Sequence, residues 1–245
     1  LPGGRARQAS QMPGAEGLGG IFDYQEQAAK QYSVNIKSGQ QAGLVDILAL
    51  TPDVVVLATG AQMAYPSSLP AELEDEGVIM DLPALIADLS GSNRSYAGTA
   101  VIIDEDHTIA FYNATLWMAD RFDEVVLITS RERFAASETL INRQGIIERL
   151  FRPNITLLPF SELLLSGDNM EEGRVKYRHL KTDQVGLIEN VAALSYASHR
   201  VPRLDLQAGL EAAGVQTELI GDAFAPRGVL QAMTEGYELA MKLAP

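Results

Sequence analysis

The residues best placed to do chemistry lie in three short stretches. The run Leu219-Ile220-Gly221-Asp222-Ala223 leads through Pro226 into helical spacing that begins near Val229. A strand of this kind delivers Asp222 to the mouth of a sheet, beside a helix N-terminus with unpaired N–H groups and partial positive charge. There the carboxylate accepts a hydrogen bond from a ligand hydroxyl, or it serves as an N-cap. The second stretch, Val54-Val55-Val56-Leu57, ends in the small residues Ala58-Thr59-Gly60. The carboxyl end of a parallel strand is where an α/β sheet admits a ligand, although a buried strand ending in a loop glycine reads the same way. The third, Gly3-Gly4-Arg5, lets a backbone approach a ligand without a Cβ clash, or is a plain glycine-rich turn.

Other chemistries are limited by what is absent. The chain has no cysteine, so it supplies no thiolate nucleophile, no disulfide and no cysteine ligand to zinc or iron–sulfur. His107, His179 and His199 are spread too widely for a metal triad, and no residue reads as a catalytic nucleophile, acid or base. The cluster Asp104-Glu105-Asp106 lacks the spacing of a calcium loop and is expected to be a solvated acidic turn.

The elements that must position these residues alternate. Helical spacing from about Gly20 to Tyr32 leads to a short strand at Val34-Asn35-Ile36, and Leu44, Ile47 and Leu48 mark a helix or turn. Asp53 to Gly60 reads as a buried parallel strand. After a connection with a helix around Pro83 to Leu89, strand Ala100–Ile103, helix Ile109–Arg121 and strand Glu124–Ile128 form a βαβ unit. Helix Ser137–Leu150 and strand Ile155–Leu158 continue it. Arg174–His179 reads as an antiparallel strand, Val191–Tyr196 as a buried one, and Val215–Ile220 precedes the amphipathic helix Val229–Leu243. Phe111 and Trp117 are expected in the core. The class is α/β, one βαβ unit inserted between two flanking pieces.

The 245 residues suit one large domain or two small ones, at roughly 150 residues per domain. With 47% hydrophobic and 21% charged residues the composition is globular. Nineteen Lys and Arg against 32 Asp and Glu give a formal charge of −13, which argues against nucleic acid and anionic membrane surfaces. No apolar run reaches the roughly 20 residues of a membrane span. The expectation is a soluble, acidic, cytoplasmic protein.

Taken together, Gly3-Gly4-Arg5, Ala58-Thr59-Gly60 and Ile220-Gly221-Asp222-Ala223-Phe224-Ala225-Pro226-Arg227 resemble the C-terminal half of the trimethylamine dehydrogenase, histamine dehydrogenase and 2,4-dienoyl-CoA reductase family. The resemblance spans nearly all of the chain. It implies two nucleotide-binding, Rossmann-like and glutathione-reductase-like domains, one inserted in the other. Residues 1 to 66 and 202 to 245 would form a discontinuous FAD- or ADP-binding domain, with Gly3, Gly4, Arg5, Ala58, Thr59, Gly60, Gly221 and Asp222 at the cofactor. Residues 67 to 201 would form an inserted NAD(P)H-binding-like domain. The resemblance further implies a barrel domain carrying FMN and a 4Fe-4S cluster, an electron-transfer flavoprotein as acceptor, and a homo-oligomer.

The sequence departs from that pattern twice. The family's Gly-x-Gly-x-x-Gly turn would precede Leu1, so a fragment is expected, lacking the central first strand of its outer sheet. In the inserted domain, Asp104-Glu105-Asp106-His107 stands where a nicotinamide-binding fold places glycines, and its carboxylates repel a diphosphate. That argues against NAD(P)H binding and favours oxidative N-demethylation or amine dehydrogenation. The alternatives are an NAD(P)H-dependent enoate reductase and a non-catalytic module that binds ADP or nothing.

Overall fold

The computed structural model describes residues 2–91, 94–165, 170, 171 and 173–244. In chain order the first elements are α1 (Gly4–Ala9), α2 (Gly19–Gln31), α3 (Leu44–Leu48), β1 (Val54–Leu57), β2 (Ala61–Met63), α4 (Glu72–Asp75), β3 (Met80–Asp81) and α5 (Leu82–Leu89). Then come β4 (Tyr96–Asp104), α6 (Ile109–Ala119), β5 (Phe122–Ile128), α7 (Leu140–Leu150), β6 (Ile155–Leu158), β7 (Ser161–Leu164), β8 (Met170–Glu171), β9 (Arg174–His179), β10 (Val185–Ile188) and β11 (Val191–Ala197). Last are β12 (Arg200–Pro202), α8 (Gln207–Ala212), β13 (Gln216–Leu219) and α9 (Val229–Leu243). The chain divides into two compact units. An outer unit holds Pro2, Glu26–Ala64 and the residues from Arg200 to Ala244; an inner unit holds Gly3–Gln25 and Tyr65–His199.

The inner unit is built on a five-stranded parallel sheet in the order β3-β11-β4-β5-β6. Its central strands are the uncharged runs: Thr99 to Ile103 and Val125 to Ile128 are buried throughout, as strands covered on both faces must be. Helix α6 joins β4 to β5 and is buried from Phe111 to Ala119, with Phe111 and Trp117 in the core as expected. Helix α5 starts cleanly because Asp81 caps it, Oδ1 accepting the Ala84 N–H at 2.7 Å with Pro83 in the first turn. Gly98 is required where β4 bulges: its φ is 100°, and a Cβ there would lie 2.5 Å from Asn190 O. A second, antiparallel sheet orders β10-β9-β7, with β8 also on β9, in agreement with the alternating pattern of Arg174–His179.

The outer unit is a two-stranded parallel pair, β1 with β13, and a two-stranded antiparallel pair, β2 with β12. Two expectations fail here. Val34-Asn35-Ile36 is no strand; it has no ladder partner among the described residues, and Val34 and Ile36 are exposed. β1 is parallel, but of its residues only Leu57 is buried, and Val56 is 38% exposed, because β13 alone flanks it. Helix α9 is amphipathic as read, yet Leu230, Met233, Tyr237 and Met241 on it are exposed. Among the described residues no helix is long and apolar enough to cross a membrane.

Stability therefore rests on the parallel sheet of the inner unit. Leu127 is fully buried in β5, and Leu127→Ala is expected to cost about 2–5 kcal/mol, read as a lowered denaturant midpoint. Met241→Ala, on the exposed face of α9, is expected to change stability by less than about 0.5 kcal/mol.

Candidate functional site

In the outer unit the register of β1 on β13 ends with Leu57 opposite Leu219. The Ile220 N–H extends the ladder by donating to Leu57 O at 3.2 Å. The turn Ala58-Thr59-Gly60 and the turn Gly221-Asp222 therefore leave the same end of this strand pair. The Thr59 hydroxyl donates to Arg203 O at 2.6 Å, and the Arg203 N–H donates to Gly60 O at 3.0 Å, which fixes the first turn. Gly60 and Gly221 have φ of 75° and 61°, the left-handed region that glycine tolerates. A Cβ on Gly60 would meet nothing within 4 Å, so that side of the turn is open.

Asp222 is held from two sides. Its Oδ1 accepts the Arg227 N–H at 2.9 Å, and its Oδ2 accepts from the Arg200 guanidinium. A second Arg200 nitrogen donates to Arg227 O at 2.8 Å. Arg227 forms an ion pair with Glu235, and Glu235 also accepts the Gly221 N–H at 2.6 Å. Asp222 is thus no cap of α9; that position belongs to Gly228, which supplies no side-chain cap. An ionised carboxylate has about four lone-pair sites, so Asp222 keeps acceptor capacity for a further hydroxyl.

The remaining residues singled out from sequence fall in the other unit. Gly3, Gly4 and Arg5 belong to the inner unit, where Gly3, with φ of 114°, precedes the short helix α1. A Cβ on Gly3 would press to 3.0 Å from the Phe22 ring. Arg200 and Glu235 escaped the sequence reading. Arg200 lies 22 residues before its acid, and Glu235 is one of several polar residues on α9.

The acidic turn of the inner unit is solvated only in part: Glu105 and Asp106 reach the surface, whereas Asp104 is enclosed, contrary to expectation. Asp104 and His107 are fully buried, while Glu105 is exposed. Asp104 Oδ1 accepts the His107 N–H at 2.9 Å, and Oδ2 accepts the Tyr112 hydroxyl at 2.5 Å. His107 adopts φ of 58°, a conformation costly for a side chain with a Cβ, and its Nδ1 lies 3.2 Å from Asp104 Oδ2. Its Nε2 is 3.5 Å from the Thr129 hydroxyl. The Tyr112 oxygen in turn accepts the Ala135 N–H at 2.5 Å. Burial, and then the neighbouring Asp104 charge, push the Tyr112 phenol far above its ordinary range. Tyr196, on β11, is pushed up to about 12 by burial and by the charges of Asp81 and Glu74.

These phenols give the protein an alkaline limit. In the unfolded chain both titrate near about 10, below their folded values, so their contribution is complete below that pH. Above it the unfolded chain sheds protons that the folded one keeps, and stability falls as the pH rises from about 10 through about 12. Denaturant midpoints measured across that range should drop steeply. Tyr112→Phe should cost about 1–3 kcal/mol at neutral pH, because Asp104 loses a donor and the Ala135 N–H its acceptor, and should flatten the alkaline slope.

No family model matches the chain. It is similar to NADH oxidase of Thermoanaerobacter brockii, 22% identical over 251 residues that cover 98% of this chain and 36% of that protein. Among solved structures it is similar to histamine dehydrogenase from Rhizobium sp. 4-9, with a TM-score of 0.74 and 21% identity, over 100% of this chain and 37% of the other. It is also similar to 2-naphthoyl-CoA reductase, with a TM-score of 0.82 and 17% identity, over 99% of this chain and 35% of the other. The chain thus spans little more than a third of the length of these proteins. It has the α/β fold of that portion of them, in keeping with the resemblance read from its motifs.

Proposed function

We propose that the chain is the nucleotide-binding portion of a flavin-dependent oxidoreductase, with the outer unit holding the adenine dinucleotide of FAD, or ADP. The observation that carries this reading is that the Gly60 turn and the Gly221-Asp222 turn leave the carboxyl ends of two paired parallel strands, with Asp222 held by Arg200 and the Arg227 N–H. The donor set fits such a group. Asp222 accepts from ribityl or ribose hydroxyls, the open side of Gly60 lets the backbone lie close to the group, and the N–H groups that open α9 donate to oxygen or phosphate. Bound flavin supplies the redox chemistry. The chain's own residues orient it: Arg200 and the Arg227 N–H fix the position of the Asp222 carboxylate, while Glu235 ties Gly221 to α9.

The proposed reaction of the whole protein is oxidative N-demethylation or amine dehydrogenation. Electrons would pass through FMN and a 4Fe-4S cluster in a barrel domain to an electron-transfer flavoprotein. The likeness to histamine dehydrogenase and the filled turn at Asp104–His107 support it. The likeness to an NADH oxidase and to 2-naphthoyl-CoA reductase favours the second reading, an NAD(P)H-dependent enoate reductase. Its own barrel domain and further copies of the chain are the proposed partners, and the cytoplasm the proposed location.

The test is flavin occupancy in the full-length protein. Asp222→Ala removes a charge-assisted acceptor of roughly 1.5–3 kcal/mol, so FAD affinity should fall about ten- to a hundred-fold, with the circular dichroism spectrum retained. Arg200→Gln breaks the same ion pair but leaves the carboxylate, and should lower the melting temperature while keeping more flavin than Asp222→Ala. Full flavin in Asp222→Ala with a lowered melting temperature would reduce Asp222 to a structural role.

A further inference from the structure

In a dinucleotide-binding βαβ unit, a diphosphate sits on the N-terminus of the helix that follows the first strand. In the inner unit that helix is α6, and this chain places one of its own carboxylates there. Glu138 Oε1 accepts the N–H of Ile109, the first residue of α6, at 2.7 Å. Its Oε2 accepts from the Asn142 side-chain amide, in the first turn of α7, at 3.1 Å. One carboxylate thus lies at the positive ends of two helices, a place that favours an anion.

The segment that carries Glu138 is anchored rather than draped. Phe134 and Ala135 are buried, and Ala135 adopts φ of 54°. The Ala135 N–H donates to Tyr112, whose hydroxyl is fixed by Asp104, and the Ser137 hydroxyl lies 3.4 Å from Asp106 O. On the other side of the same turn, the Thr108 hydroxyl donates to the Asp106 carboxylate. An incoming diphosphate would have to displace a carboxylate already bonded to the helix, beside Glu105 and Asp106.

We propose that Glu138 is a built-in anion that stands in for a nucleotide phosphate, and that the loop between β5 and α7 seals the inner unit against dinucleotides. This holds whatever the outer unit binds.

The test is rescue by inorganic phosphate in the full chain, with sodium chloride matched for ionic strength. Wild-type protein should gain little on adding phosphate, any gain at the outer unit being common to the wild type and the variants. Glu138→Ala leaves the Ile109 N–H and both helix ends without their anion, and should melt about 2–4 °C lower, as expected for a lost cap. Phosphate should restore part of that loss. Glu138→Gln, which keeps an acceptor without the charge, should lose less and be rescued less. An equal gain in the wild type, an unchanged melting temperature in Glu138→Ala, or a loss that phosphate cannot repair would each overturn the proposal.

Discussion

The inner unit depends on one buried charge. A carboxylate taken out of water costs several kcal/mol unless its lone pairs are met, and Asp104 meets that cost with two hydrogen bonds, from the His107 N–H and the Tyr112 hydroxyl. The consequences run outward. His107 is drawn into a left-handed conformation, which closes the turn between β4 and α6 on itself. Tyr112 passes the constraint to the Ala135 N–H, and so to the loop that brings Glu138 to α6. A single side chain thus fixes the mouth of the inner sheet, and fixes it shut.

The outer unit meets the same geometric problem in the opposite way. Its strand ends also open beside a helix N-terminus, but there the turns carry Gly60 and Gly221, which have no Cβ. Its carboxylate, Asp222, is 20% exposed at the side chain and is steadied by Arg200 rather than buried. Partial exposure leaves lone pairs for a ligand; full burial leaves none. That contrast supports the proposal that the outer unit binds the cofactor and the inner one has a supporting role.

Much of this was legible in the sequence, and the exceptions share a cause. The βαβ alternation from Ala100 to Leu158 stands out because buried parallel strands must be apolar without interruption, and the structure places β4, α6, β5, α7 and β6 there. Val34–Ile36 has the composition of a strand but no partner among the described residues to pair with. Asp104 looked solvated because three successive carboxylates ordinarily face water. Its donor Tyr112 lies eight residues on, in the first turn of α6, and the Ala135 link depends on a loop no local pattern announces. The same holds for Asp222: its position after a strand was plain, whereas Arg200 and Glu235 become its neighbours only through the pairing of β1 with β13 and the return of α9.

The most direct measurement is anaerobic rapid mixing of the intact flavoprotein with candidate reductants, followed by flavin absorbance. If the inner unit is closed to dinucleotides, NADH and NADPH should leave the flavin oxidised on the timescale of turnover, while an N-methylated or primary amine substrate bleaches it. Rapid bleaching at micromolar NADH or NADPH would contradict the account, for it would require a nicotinamide to reach a turn that Asp104, His107 and Glu138 are argued to occupy.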